Sequence, residues 1–185
     1  MLTHLPTATF IPSPNFGERP AGMMIDMIVV HNICLPPAAT EADFDPAHNH
    51  VAAFFQNRLA PNAHPYFAEI YQQEVSAHLY IRRDGSLQQF VPFDKRAWHA
   101  GRSHWQGRDN CNDFSIGIEL EGADHLPFTD AQYTALTGAC RTLMAHYPIP
   151  LNRIVAHSDI APGRKTDPGE CFDWARLHDA ITNYE

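Results

Sequence analysis

The sequence predicts an α/β (α+β) fold, a central mixed β-sheet flanked by helices. Three observations carry this. Two short β-branched runs, residues 27–31 (MIVVH) and 153–157 (RIVAH), each end in a histidine. Residues 115–121 (SIGIELE) alternate strictly between apolar and polar or small side chains. Between the last two runs lies a helical apolar stripe of Tyr133, Leu136, Cys140, Leu143 and Tyr147. Strand periods interleaved with helix periods place both kinds of element around one sheet.

The elements follow in chain order. The first 22 residues are rich in proline and are expected to wrap the surface without regular structure. Residues 27–31 read as a buried strand, because a short run of β-branched and apolar residues suits a sheet interior. Residues 48–59 read as a helix with Val51, Phe54, Phe55 and Arg58 on neighbouring turns, stopped by Pro61. Residues 77–83 and 87–91 flank Asp84 and Gly85, a pair expected to supply the positive φ angles of a tight hairpin turn. In 115–121, Ile116, Ile118 and Leu120 face one way while Gly117, Glu119 and Glu121 face the other. Thr129 with Gln132 resembles a capping box at the start of the 129–146 helix. Residues 153–157 read as a further strand, and Asp173 is placed to cap a last helix containing Trp174, Leu177 and Ile181. No repeat or flexible linker interrupts the 185 residues, so they read as one domain.

Composition narrows the function classes. A hydrophobic content of 44% with 18% charged residues fits a globular chain and not a disordered one. The formal net charge of −8 argues against a nucleic-acid partner bound through a basic surface. No apolar stretch approaches the ~20 residues of a membrane span, so no membrane partner is expected. Nothing in the pattern calls for an obligate protein partner. Cys34, Cys111, Cys140 and Cys171 form no C-x-x-C pair. With no basic, then apolar, start at residues 1–10, the expected location is the cytoplasm, with reduced thiols.

The chemistry sits on the histidines, which number 12. A side chain at a strand end is held rigidly and points into whatever cleft lies at the sheet edge. His31 and His157 occupy such ends, and Asp167 follows ten residues later in a loop rich in proline and glycine. Two imidazoles and one carboxylate leave one tetrahedral position open, the pattern of a catalytic zinc site. Spacing alone leaves the bland reading open: two core histidines and a turn aspartate. A metal that activates water needs a general base and a cation for the developing oxyanion. Glu119, flanked by Ile118 and Leu120, is a candidate base, but periodicity does not separate it from Glu121. Lys165 stands two residues before Asp167 and is a candidate cation.

The blocks VVHN (29–32), VSAH (75–78), RRDG (82–85), FDKRAWHAG (93–101), CNDFSIGIELEG (111–122) and HSDIAPGRKTDPG (157–169) together resemble the N-acetylmuramoyl-L-alanine amidase family, related to peptidoglycan recognition proteins and the lysozyme of phage T7. The likeness runs in order through nearly all of residues 10–180. Within the family it points to the branch acting on 1,6-anhydro muropeptides during cell-wall recycling. The resemblance implies a zinc-binding groove at one sheet edge, with one Zn2+ per chain held by His31, His157 and Asp167. It implies Glu119, not Glu121, as the base, and Lys165 as the transition-state cation. It implies hydrolysis of the amide between N-acetylmuramic acid and L-alanine in a small muropeptide. Relatives such as the phage enzyme carry a tyrosine just before the histidine of the hairpin strand. This chain has Ala77 there, which places more weight on Glu119.

For substrate contacts, Asn32 beside a ligand is placed to hydrogen-bond the peptide backbone. Tyr66 and Trp98 are placed to stack on the sugar. The branch is expected to read peptide carboxylates with arginines near positions 74 and 110, where this chain has Glu74 and Asn110; Arg102, Arg108 and Arg164 are the candidates to replace them. The competing readings are a peptidoglycan-binding module without catalysis and a different zinc hydrolase such as a sugar deacetylase. The presence of three ligands, a base and a cation favours the amidase.

Overall fold

The computed structural model describes residues 1–183. Its strands and helices, in order, are β1 (Thr9–Phe10), β2 (Phe16–Glu18), β3 (Met27–Ile33), α1 (His50–Phe55), α2 (Pro65–Ile70), β4 (Leu79–Ile81), β5 (Leu87–Gln89), β6 (Lys95–Ala97), β7 (His104–Trp105), β8 (Arg108–Asp109), β9 (Ser115–Glu121), α3 (Asp130–His146), β10 (Ile154–Ala156), α4 (His157–Ile160) and α5 (Trp174–Thr182).

Six strands form the central sheet in the order β1-β5-β4-β9-β3-β10. Only the β4–β5 pair is antiparallel; β1–β5, β4–β9, β9–β3 and β3–β10 are parallel. Two ribbons, β2–β6 and β7–β8, lie outside it. The sheet is therefore mixed, as expected, and its four parallel neighbours send their carboxyl ends in one direction. That is where ligands gather in open α/β sheets.

The first 22 residues are more ordered than proline content suggests. They contribute β1 to the sheet edge and β2 to a ribbon, because proline is tolerated beside an edge strand that needs few donors. The 48–59 helix is shorter than its apolar spacing implies. Asn49 caps it, its side chain accepting from Ala52 N, and Asn57 adopts φ 58°, which stops it. Arg58 therefore falls outside the helix. In the hairpin, Gly85 alone takes a positive φ, +82°. Gly85 N donates to Arg82 O and Arg82 N to Ser86 O, a type I turn closed by a left-handed glycine and not a two-residue primed turn. Thr129 and Gln132 form the expected capping box, and Asp173 caps α5 by accepting from Arg176 N.

Burial is two-sided. Ile116, Ile118 and Leu120 of β9 pack with Leu136, Cys140 and Leu143 of α3 in the largest apolar cluster. On the other face, Met27 and Val29 meet Phe114, Val155 and Ile160, while Tyr80, Phe90 and Val91 receive α1 and α2. Every residue of β9 is buried, so the face bearing Glu119 and Glu121 is not a solvated one. The four cysteines are free thiols. Among the described residues no helix is long and apolar enough to cross a membrane.

Candidate active site

Parallel pairing sets the site. In the β3–β9 ladder Met27 lies beside Ser115, Val29 beside Gly117 and His31 beside Glu119. These residues share one face because side chains alternate with period two. Val155 of β10 pairs with Val29, and His157 follows that edge strand directly as the first residue of α4. Asp167 comes back to the same place on the loop after α4, where Ser158 N donates to its carbonyl.

The three expected ligands converge. His31 Nδ1 and His157 Nδ1 are 2.9 Å apart, and Asp167 Oδ2 stands 3.2 and 3.0 Å from them. A tetrahedral ion with bonds of about 2.0–2.1 Å needs donor atoms roughly 3.3 Å apart, so the spacing matches. Tautomer chemistry agrees. His157 Nε2 faces the carbonyl of Ala100 at 3.2 Å, and a carbonyl only accepts. A neutral His157 therefore carries its proton on Nε2 and aims the lone pair of Nδ1 at Asp167 and His31. Burial drives His31 down to about 4, so its imidazole is neutral near pH 7. A carboxylate and two imidazoles meeting within a few ångströms, His31 and Asp167 side chains 1% and 13% exposed, suit a divalent cation.

Glu119 is the next group out. One carboxylate oxygen, Oε1, lies 3.9 Å from His31 Nδ1; the other, Oε2, is buried without a hydrogen-bond partner. Burial, and then the neighbouring charge of Asp167, push its carboxyl well above the usual range. Glu121, one pleat further along, is occupied elsewhere: Arg83 N donates to its Oε2 at 2.8 Å and Arg82 lies at 3.6 Å. The structure thus distinguishes two glutamates that alternation leaves equivalent.

These groups open onto a cleft of about 660 Å³ whose walls include Asn32, Tyr66, Trp98, Glu119, Lys165 and Asp167. All the expected substrate contacts line it. Asn32 is more committed than expected, since its amide nitrogen donates to Asp124 Oδ1 at 2.7 Å and to Pro168 O at 3.0 Å. One amide proton serves Asp124 between β9 and α3 and the other the loop that carries Asp167, leaving Oδ1 as the atom Asn32 can offer a substrate N–H. Thr166 Oγ1 donates to the other oxygen of Asp124. Of the arginines considered for peptide carboxylates, Arg108 is removed from that role: it pairs with Asp26 and stacks on Phe114. Arg164 lines the cleft, its Nη2 donating to the carbonyls of Ala100 and Arg102.

Two site residues escape a reading by spacing. Asp124 sits in a loop with no period to mark it. His99, whose Nδ1 is 2.9 Å from His31 Nε2, lies between Trp98 and Ala100 in an irregular segment. The only signal is the small residues around it, Ala97, Ala100 and Gly101, which let backbone approach the sheet closely.

An α/β fold with a His–His–Asp cluster that could hold a metal ion, beside a desolvated carboxylate, fits the pattern of a metal-assisted hydrolase. Comparison with known proteins gives the class its particular member. Residues 21–170 match the family described as N-acetylmuramoyl-L-alanine amidase, and the chain belongs to that family. It is 51% identical over 175 residues to the 1,6-anhydro-N-acetylmuramyl-L-alanine amidase AmpD of Enterobacter cloacae, covering 95% of this chain and 90% of the relative. The crystal structure of a selenomethionine derivative of AmpD superposes with a TM-score of 0.90 at 51% identity, covering 98% of this chain and 100% of that one. More distant is the Escherichia coli amidase AmiD, solved with anhydro-N-acetylmuramic acid-L-Ala-D-γ-Glu-L-Lys. It gives a TM-score of 0.61 at 28% identity, covering 91% of this chain and 66% of that one.

Proposed function

We propose that this protein is a zinc-dependent amidase that hydrolyses the bond between (1,6-anhydro-)N-acetylmuramic acid and L-alanine in small muropeptides, in cytoplasmic peptidoglycan recycling. The observation that carries the reading is the meeting of His31, His157 and Asp167 within 3.2 Å, directly beside the unpartnered Oε2 of Glu119. The names of the relatives supply the substrate class: AmpD acts on the anhydromuramyl-L-alanine linkage, and AmiD is solved with an anhydromuramyl peptide as substrate.

When bound at the three ligands, a zinc ion supplies Lewis acidity, polarising the scissile carbonyl and acidifying water. Glu119 takes the proton from the attacking water on the oxygen that has no internal partner, then passes it to the leaving alanine amine. Its raised basicity suits both halves of that transfer. Lys165 contributes a cation at the cleft for the oxyanion that develops on the former carbonyl oxygen. Tyr66 and Trp98 offer half-buried aromatic walls to the sugar, and an anhydro ring, with fewer hydroxyls than a reducing sugar, gains more from them. The Oδ1 of Asn32 accepts from the peptide backbone.

The test is direct. Incubation of the purified protein with a defined anhydromuramyl tripeptide should release the anhydro sugar and free tripeptide by mass spectrometry. Turnover should stop with a chelator and return with zinc. Cleavage undiminished by complete removal of metal, or loss of acetate instead of peptide, overturns the reading.

A further inference from the structure

We propose that His99 and Ser115 form a directed hydrogen-bond relay that presets the tautomer of His31, making His99 a positioning residue for the metal site. The inference rests on the reading of His31 as a metal ligand and adds to it a residue that is itself no ligand.

The direction of the relay follows from its far end. Ser115 Oγ lies 2.6 Å from Cys111 O. Two oxygens that close need a proton between them, and the carbonyl has none, so the serine hydroxyl donates. Its lone pair is then left for His99 Nε2 at 3.1 Å, which must carry a proton. A neutral imidazole protonated on Nε2 has a bare Nδ1. That atom faces His31 Nε2 at 2.9 Å, so the proton of that contact belongs to His31. The lone pair of His31 Nδ1 is thereby turned toward His157 and Asp167. A doubly protonated His99 would reverse the last step. It would also bury a cation with no ion-pair partner among the described residues.

The chain is built around this ring. The amides of His99 and Ala100 both donate to Asn112 Oδ1, at 3.1 and 2.8 Å, which fixes the segment. The imidazole lies so close to β9 that a Cβ on Gly117 would fall 2.3 Å from His99 Cγ. Only the absence of a side chain there allows the approach. Metal-bound histidines generally donate their second N–H to a fixed acceptor, and loss of that acceptor typically costs 10–100-fold in metal affinity. Here the acceptor is a second imidazole whose own tautomer is imposed from behind.

Two measurements on the full chain decide it. Nitrogen-15 correlation spectra of the zinc-free protein should show His31 protonated on Nε2 and bare on Nδ1, with a coupling across the hydrogen bond to His99 Nδ1. Zinc competition against a chelator should give about 10–100-fold weaker binding for His99→Phe. His99→Gln, which offers an acceptor and a donor in the same order, should recover most of that loss. Ser115→Ala should weaken zinc binding while leaving all three ligands in place. His31 protonated on Nδ1 in the folded zinc-free protein overturns the relay, and so does an unchanged zinc affinity in folded His99→Phe. If His99→Phe does not fold, the wild-type spectra and Ser115→Ala decide alone. Failure of the wild-type protein to bind zinc at all defeats the ligand assignment itself; zinc binding with the wrong tautomer defeats only the relay.

Discussion

At the scale of single residues, the two glutamates of β9 make opposite predictions. Glu119→Gln keeps shape and removes the proton acceptor, so kcat should fall by about 10²–10⁴-fold with zinc content unchanged. Glu121→Gln should leave kcat within a few-fold and lower the melting temperature, because the carboxylate it replaces accepts from Arg83 N. Matched kinetics, metal analysis and thermal melts on the two variants check this; a larger kcat loss for Glu121→Gln would exchange their roles. His31, His157, Asp167, Glu119 and Lys165 stand out in the chain as residue types at suitable spacings, and the roles proposed for them come from the family likeness. What spacing leaves open is which of two same-face carboxylates is free. That depends on hydrogen bonds arriving from Arg82 and Arg83 on the neighbouring hairpin, which no periodicity along β9 encodes. His99 and Asp124 are hidden for the same reason: their partners lie 68 and 92 residues away along the chain.

At the scale of elements, the long regular segments read well and the short ones poorly. α3 announces itself by a capping box and a five-residue stripe, and β9 by alternation. α1 is cut short by single asparagines whose conformations are not visible in hydrophobic spacing. β9 depends on two histidines that lean on it. Gly117→Ala should drive Cβ into the His99 ring, costing about 1–3 kcal/mol as an overpacked core substitution does, and should weaken zinc binding as well. A variant with wild-type denaturant midpoint and wild-type zinc affinity would contradict this close approach. His78, just before β4, is the second. Gly117 N donates to its Nδ1, and its Nε2 lies 3.0 Å from the carbonyl of Lys95. Burial, then the neighbouring Arg19 charge, lowers His78 to about 3. The unfolded chain therefore binds its proton first as pH falls. The stability His78 lends is complete above pH ~6.5 and is lost as pH drops from there toward 3, at up to about 1.4 kcal/mol per pH unit. Urea midpoints measured from pH 7 to 4 should fall less steeply for His78→Gln than for wild type; parallel slopes would show that His78 does not titrate on unfolding.

At the scale of the whole molecule, the site joins three parts of the chain: β3 in the sheet interior, the β10–α4 junction at the edge, and the loop that follows α4. A ligand that binds only the folded state stabilises it by mass action, about 2.7 kcal/mol at a hundredfold excess over its dissociation constant. Removal of zinc should therefore lower the melting temperature by several degrees and restoring it should reverse the shift, as calorimetry would show; identical melts with and without metal would place the ion outside the folded architecture. The three attachments are not equal, however. β3 is hydrogen-bonded on both sides, by β9 and β10, while Asp167 is held by a loop whose Thr166 is clasped through Asp124 to Asn32. A segment with few ladder bonds opens at a smaller free-energy cost than a central strand. The ion should thus leave by a side door, with the carboxylate letting go first while both imidazoles stay in register. Its exchange with free isotope should run far faster than deuterium replaces the amide hydrogens of β3, so that the protein can lose and regain its metal many times within the lifetime of one folded molecule.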